Sequence, residues 1–144
     1  MFIGKATEVT DELVEAFEHL LPQLKFSFPY PSRTDIETLV SSDASTLLIA
    51  RYPDEQASIA GILTLIMYRV PTGVRAHVED VVVDETLRGN GIGAALVLHA
   101  VGLARDAGAD GVALTSNPRR EAANRLYVKL GFTLWRTNLY FYEF

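Results

Sequence analysis

One segment constrains the fold more than any other. His77 to Asp84 carries the apolar run Val81-Val82-Val83, Arg88-Gly89-Asn90-Gly91-Ile92-Gly93 follows it, and a helical pattern runs on to Ala107. Three valines in a row are too continuously apolar for a half-exposed edge, so Arg75 to Asp84 reads as a strand inside a sheet. Leu96, Val97, Ala100, Val101 and Ala104 recur at three-and-four spacing and give Ala94 to Ala107 one apolar face, with Gly108 as its stop. A strand, a glycine-rich turn and an amphipathic helix in that order require a fold in which helices cover a sheet.

The flanking chain supplies the rest of such a fold. A short strand is predicted around Phe2 to Ala6, then a helix from about Asp11 with Leu13, Phe17 and Leu21 at four-residue spacing. Pro22 and Ser27-Phe28-Pro29-Tyr30-Pro31 break regular structure, and Ser32 is placed to cap a second helix carrying Ile36, Leu39 and Val40. Thr46 to Tyr52 and Ala57 to Val70 form an expected antiparallel hairpin across Pro53-Asp54-Glu55-Gln56. Asp110 to Ser116 reads as a further buried strand, and Arg119 to Leu130 as an amphipathic helix ended by Gly131. Phe132 to Arg136 and Leu139 to Phe144 complete the pattern as a terminal hairpin turned near Thr137-Asn138. The expected architecture is a mixed α/β fold: a mostly antiparallel sheet of about six or seven strands packed by about four helices.

With 144 residues and no internal repeat, linker or low-complexity tract, residues 1–144 are expected to form a single domain. At 49% hydrophobic residues there is ample material for a core. The net charge of −5 argues against nonspecific capture of nucleic acid. No cysteine is present, which excludes disulfides, thiolate metal sites and cysteine nucleophiles, and the three histidines show no metal-ligand spacing. No catalytic metal is expected. The first residues reach polar Thr7-Glu8 without a signal-like apolar segment, and Ile59 to Tyr68, broken by Thr64, falls well short of the roughly 20 residues that cross a bilayer. A cytoplasmic protein with no membrane partner is expected.

The glycine-rich turn points to chemistry. A helix N-terminus following a strand offers unpaired N–H groups and the positive end of the helix dipole, which together favour phosphate. Gly89, Gly91 and Gly93 would let the backbone wrap closely around a diphosphate, and Arg88 would add a charge-assisted contact. Gly89 to Ala94 also satisfies the loose dinucleotide pattern, with Asp110 about twenty residues on, which would make a nicotinamide-dependent oxidoreductase. That fold places its glycines directly after its first strand, whereas this motif begins beyond the middle of the chain. A nucleotide-triphosphatase loop would need Gly-Lys-Ser/Thr, which is absent after Gly93.

His77-Val78-Glu79-Asp80-Val81-Val82-Val83-Asp84 and Arg88-Gly89-Asn90-Gly91-Ile92-Gly93 resemble the cofactor strand and pyrophosphate loop of the GNAT superfamily of acyl-coenzyme A-dependent N-acyltransferases. Asn124-Arg125-Leu126-Tyr127-Val128-Lys129-Leu130-Gly131-Phe132 resembles that family's later helix and following strand. His77 to Gly93 is especially similar to the glucosamine-phosphate acetyltransferase branch. The resemblance implies acetyl-CoA as donor and a sheet splayed into a V-shaped slot. In that slot the backbone of Val81 and Val83 would align the pantetheine arm, while Arg88, Gly89, Asn90, Gly91 and Gly93 hold the pyrophosphate. It also implies that Asn124 helps hold the cofactor and that Tyr127 approaches its sulfur.

The implied reaction is attack by an unprotonated amine on the thioester carbonyl, giving a tetrahedral oxyanion that expels coenzyme A thiolate. Glu79 is the leading candidate for the base, directly or through water, and Tyr127 for the acid; a backbone N–H near Val81 would stabilise the oxyanion. Strict alternation puts Glu79 with Val81 and Val83 on one face and Asp80 with Val82 on the other, but a bulge would reverse this, so parity does not choose between the two carboxylates. Phe26, Phe28 and Tyr30 are candidates to cover the acceptor, and Arg119 and Arg120 to meet phosphate or an acidic substrate. His77 reads as structural or solvated. Trp135 and Tyr140 fit core or interface packing, which leaves a homodimer open. The acceptor is a small-molecule amine or a peptide or protein amine. A non-enzymatic reading keeps the phosphate grip in a coenzyme A-binding regulatory module without turnover.

Overall fold

Five strands form one sheet in chain order: β1 (Phe2–Lys5), β2 (Ser45–Arg51), β3 (Ile59–Val70), β4 (Gly73–Val83) and β5 (Ala109–Leu114). The computed structural model describes residues 1–24 and 29–144. The first four strands pair antiparallel with their neighbours, and β5 joins β4 in parallel. That one parallel step needs a crossover. Helix α3 (Ile92–Asp106) supplies it.

Two further helices lie between β1 and β2: α1 (Asp11–Leu20) and α2 (Arg33–Ser41). Thr10 caps the first through its Oγ1, which accepts from the Leu13 N–H at 3.2 Å. Ser32 and Asp35 form a reciprocal capping box on the second. Helix α4 (Glu121–Lys129) follows β5 and ends at Gly131, whose φ of +95° suits glycine.

The sheet divides the core in two. On one face Leu48, Leu63, Leu65 and Val78 pack with Leu96, Val97 and Ala100 of α3 and with Tyr127 of α4. On the other, Leu47, Ile62 and Val82 pack with Leu13, Phe17 and Leu20 of α1 and Ile36 of α2. Burial of both faces explains why β3 reads as one apolar run rather than an alternation.

Arg51 of β2 holds α1 to the sheet by a bidentate pair with Glu12, at 2.7 and 2.6 Å. The hydrogen bond from Arg51 holds the Glu12 carboxyl below its ordinary range. Because its pKa is lower in the folded state, the unfolded chain takes up the proton first. The pair's contribution is therefore intact above the ordinary carboxylate range and fades as pH falls through the folded value. Glu12 is 42% exposed, so Glu12→Gln is expected to cost at most about 1 kcal/mol near neutral pH. Urea titrations of both proteins across pH check that the difference shrinks on acidification.

Two expectations are corrected. The sheet among the described residues has five strands rather than six or seven, because Phe132 to Phe144 forms no terminal hairpin. A strand is stable only against a neighbour, and beyond Phe132 this segment makes no ladder with the sheet. β5, expected to be buried, is instead an edge strand with Asp110, Gly111 and Ala113 exposed, since no strand among the described residues pairs with its outer side. Trp135 and Tyr140 are accordingly not in this chain's core, at 81% and 86% exposure.

Candidate active site

The pairing of β4 changes character at Glu79. On its β5 side, the last pair is Val78 with Leu114, and beyond it β4 continues to Val83 paired, among the described residues, with β3 alone. The two strands therefore part, leaving the β4 backbone from Glu79 to Val83 open on one side.

The same stretch contains a bulge. Ile62 pairs with Val82 and Thr64 with Glu79, so Asp80 and Val81 together stand opposite the single residue Leu63. Asp80 carries the extra residue with φ +50°, a left-handed conformation uncommon outside glycine and favoured where a site requires it. The bulge inverts the faces. Before it, Ala76 and Val78 face the α3 side; after it, Val81 and Val83 do so while Val82 faces α1 and α2.

Glu79 and Asp80 both line one cavity of about 330 Å³ at the opening, together with Thr115, Ser116, Asn117 and Arg120. His77 Nε2 lies 3.2 Å from Glu79 Oε1, as expected for residues two apart on a strand face. Arg120 donates to the Val81 carbonyl at 3.4 Å across the open side of β4. Ser116 Oγ is buried with no hydrogen-bond partner among the described residues, a group that a ligand in the opening would satisfy. A second cavity of about 270 Å³ adjoins Asp80 and is walled by Phe17, Leu21, Tyr30, Leu39 and Ile62, with Thr64 as a further polar group. Tyr30 thus stands where a covering loop was expected; Phe26 and Phe28 lie outside the described residues.

The glycine-rich turn lies directly beyond the opening. A short 3-10 turn, Glu85–Leu87, follows β4, capped by Asp84, whose carboxylate accepts from the Thr86 N–H at 2.8 Å. Hydrogen bonds from Thr86 hold that carboxylate below its ordinary range. Gly89 and Gly91 have φ of +87° and +80°, and a Cβ built on either meets no atom within 4 Å. Helix α3 begins at Gly91 with no side-chain cap, so its first-turn N–H groups are left for a ligand. Gly93 packs closer, its added Cβ lying 3.6 Å from Leu126 and 3.7 Å from Val83.

The expected loop side chains are partly engaged. Arg88 donates through Nε to the Val83 carbonyl at 3.2 Å and through Nη2 to Gln23 at 3.3 Å. Asn90 closes the turn by donating to the Leu87 carbonyl and accepting from the Tyr52 hydroxyl. Asn124 donates to the Asn117 and Pro118 carbonyls at 3.0 and 3.4 Å, fixing the segment that leaves β5. Tyr127 is buried on α4 and meets Phe132 edge to face at 5.9 Å between ring centres. Burial raises its phenol above the ordinary value, against the opposing charge of Arg120, so the hydroxyl stays protonated well past neutrality.

A mostly antiparallel sheet with its glycines after the fourth strand is not the parallel, doubly wound sheet of a dinucleotide enzyme, which removes the oxidoreductase reading. The acetyltransferase (GNAT) family model matches residues 8–132. The chain belongs to that family. No curated protein sequence matches it. Among solved structures, it is similar to an acetyltransferase of Trypanosoma brucei, at 23% identity and TM-score 0.77, over 99% of this chain and 100% of that one. It is similar to the glucosamine-6-phosphate N-acetyltransferase of Arabidopsis thaliana at 20% identity and TM-score 0.76, over 99% of each. A soil-metagenome aminoglycoside acetyltransferase in complex with sisomicin matches at 17% identity and TM-score 0.78, over 99% of this chain and 95% of that one. At these identities the structures speak for the fold.

Sequence reasoning did not single out Ser116, nor the contact of Arg120 with Val81. Thr64 was noticed only as a break in an apolar strand. A lone hydroxyl inside such a run was the available signal for a polar group facing a cavity.

Proposed function

We propose that this GNAT protein transfers an acetyl group from acetyl-CoA to a primary amine at the opening between β4 and β5. The observation that carries the proposal is the adjacency of an unpaired stretch of β4 backbone to an uncapped helix N-terminus. The first suits the amides of a pantetheine arm, and the second a pyrophosphate. The α3 N-terminus with Gly89, Gly91 and Gly93 would hold the diphosphate beside Arg88, and the backbone of Val81 and Val83 the arm. Arg120 must release the Val81 carbonyl for the arm to pair there. Asn124 acts indirectly, by holding the 117–118 segment. The thioester supplies the activated acyl group.

The remaining work belongs to the chain's own residues. Glu79 receives the proton of the attacking amine, with His77 beside it and Asp80 on the same cavity. The protonated Tyr127 hydroxyl supplies a proton or hydrogen bond to the departing sulfur. The off-ladder backbone at Asp80 and Val81 is the source of an oxyanion donor. The adjoining apolar cavity, with the carboxylate of Asp80 at its side, favours an amine borne on an apolar body.

Incubation with acetyl-CoA and a panel of amines tests the proposal. The expected result is stoichiometric release of free coenzyme A and addition of one acetyl group to the acceptor, with apolar amines ahead of strongly polar ones. Saturable acetyl-CoA binding without any acetylated product would favour the regulatory-module reading. For the base, Glu79→Gln is expected to lower kcat/KM by about 10²-fold at moderate pH and by much less where the amine is already unprotonated. Equal rates for the two proteins at every pH would assign the proton to another group.

A further inference from the structure

The segment between β4 and α3 is held from the far end of α1. That helix runs into the 3-10 turn Leu21–Leu24, so His19 and Gln23, four residues apart, share one face. Both reach the same segment. His19 Nε2 lies 2.7 Å from Asp84 Oδ2, and because a carboxylate only accepts, this nitrogen carries the proton. Gln23 Oε1 accepts from the Glu85 N–H at 2.8 Å and from Arg88 Nη2 at 3.3 Å, while its Nε2 donates to the His19 carbonyl at 3.3 Å. Only one orientation of the amide fits, since reversing it would set its NH2 group against two donors.

Arg88 is the side chain on which this arrangement acts. An exposed arginine loses rotamer freedom when it meets a ligand, which weakens binding unless another group has already fixed it. Here Nε donates to the Val83 carbonyl at 3.2 Å and Nη2 to Gln23, so one edge of the guanidinium plane is taken. The end formed by Nη1 and Nη2 keeps three N–H groups, none with a partner among the described residues, for an anion at the glycine turn. A neutral amide suits this task. A carboxylate in its place would accept the same bonds but offset the charge that Arg88 presents.

We infer that Gln23 is a positioning residue for the cofactor's pyrophosphate, acting through Arg88. The inference rests on the proposed reading of the turn as a pyrophosphate site. Gln23 stands 65 positions before Arg88, too far for a local motif to mark it. The Glu85 N–H anchors its oxygen, and the guanidinium is thereby aimed before any ligand arrives.

Calorimetric titration with coenzyme A and with pantetheine tests this on the wild type, Gln23→Met, Arg88→Met and the double variant. Methionine approximates the stem of each side chain and removes its hydrogen-bonding head. Gln23→Met is expected to weaken coenzyme A about 10-fold in the wild-type background and less than about 2-fold in the Arg88→Met background, because the two residues act as one unit. Pantetheine, which lacks the pyrophosphate, is expected to bind all four proteins alike, and that binding also shows that the variants are folded. A loss of equal size in both backgrounds would mean that Gln23 merely braces the turn at Glu85, and would overturn the inference. Undiminished coenzyme A affinity in Gln23→Met, or an equal loss for pantetheine, would do the same. Wild-type protein that binds coenzyme A no more tightly than pantetheine would overturn the reading of the site, and this inference with it.

Discussion

Tyr127→Phe is expected to lower kcat by about 10² to 10³-fold while acetyl-CoA still binds with nearly unchanged affinity. The aromatic body of Tyr127 packs against Phe132 in the α3-side core, and phenylalanine preserves that packing. Only the hydroxyl is lost. Because burial raises the phenol pKa, the wild-type group remains a proton donor across the neutral range, and the alkaline fall in kcat assigned to it should lie above the free phenol value of about 10. Single-turnover kinetics separate this loss from binding. A variant with wild-type kcat would reduce Tyr127 to a packing residue.

Gly91→Val and Gly91→Asn are expected to differ in stability but to agree in losing coenzyme A. Valine at φ +80° is strained by roughly 1–2 kcal/mol, whereas asparagine tolerates the left-handed region. Neither side chain meets an atom of the described residues near its Cβ, so that part of the fold leaves the space open. A diphosphate against the first turn of α3 would occupy it. Both variants should therefore weaken coenzyme A by about 10²-fold or more, a loss on the scale of a few charge-assisted hydrogen bonds. Thermal melts separate the strain of valine from the obstruction common to both. If Gly91→Asn binds coenzyme A as tightly as wild type, the diphosphate is not at this turn.

Local signals carried most of the fold. Ser32 capping α2, Gly108 ending α3, Gly131 ending α4 and the polar turn between β2 and β3 each act over a few residues, and each lies where its chemistry predicts. The bulge at Asp80 was not legible in that way. Its cause is the packing of β4 between two cores, and alternation alone assigns Val81 and Val83 to the face of Glu79, the opposite of what the structure shows. The terminal hairpin was misread for a related reason. Leu134 to Phe144 has the residue types of strands, but a strand pattern does not identify its partner. Gly89 and Gly91, expected from the sequence to let the backbone wrap closely, have φ of +87° and +80° in the structure. Asn90 donates to the Leu87 carbonyl and Asn124 to the Asn117 and Pro118 carbonyls, so their amides also brace neighbouring loops. For Asn124 no property of the isolated residue distinguishes bracing a loop from contacting a ligand.

In the proposed complex an anion on the α3 N-terminus aims a thioester into the opening beside β4. Calorimetric titration of the wild-type protein with coenzyme A and with pantetheine, which lacks the nucleotide and its pyrophosphate, tests it most directly. Coenzyme A is expected to bind at least 10²-fold more tightly than pantetheine, and Gly91→Asn to remove most of that difference. Equal affinities for the two ligands, or an undiminished difference in Gly91→Asn, would contradict it.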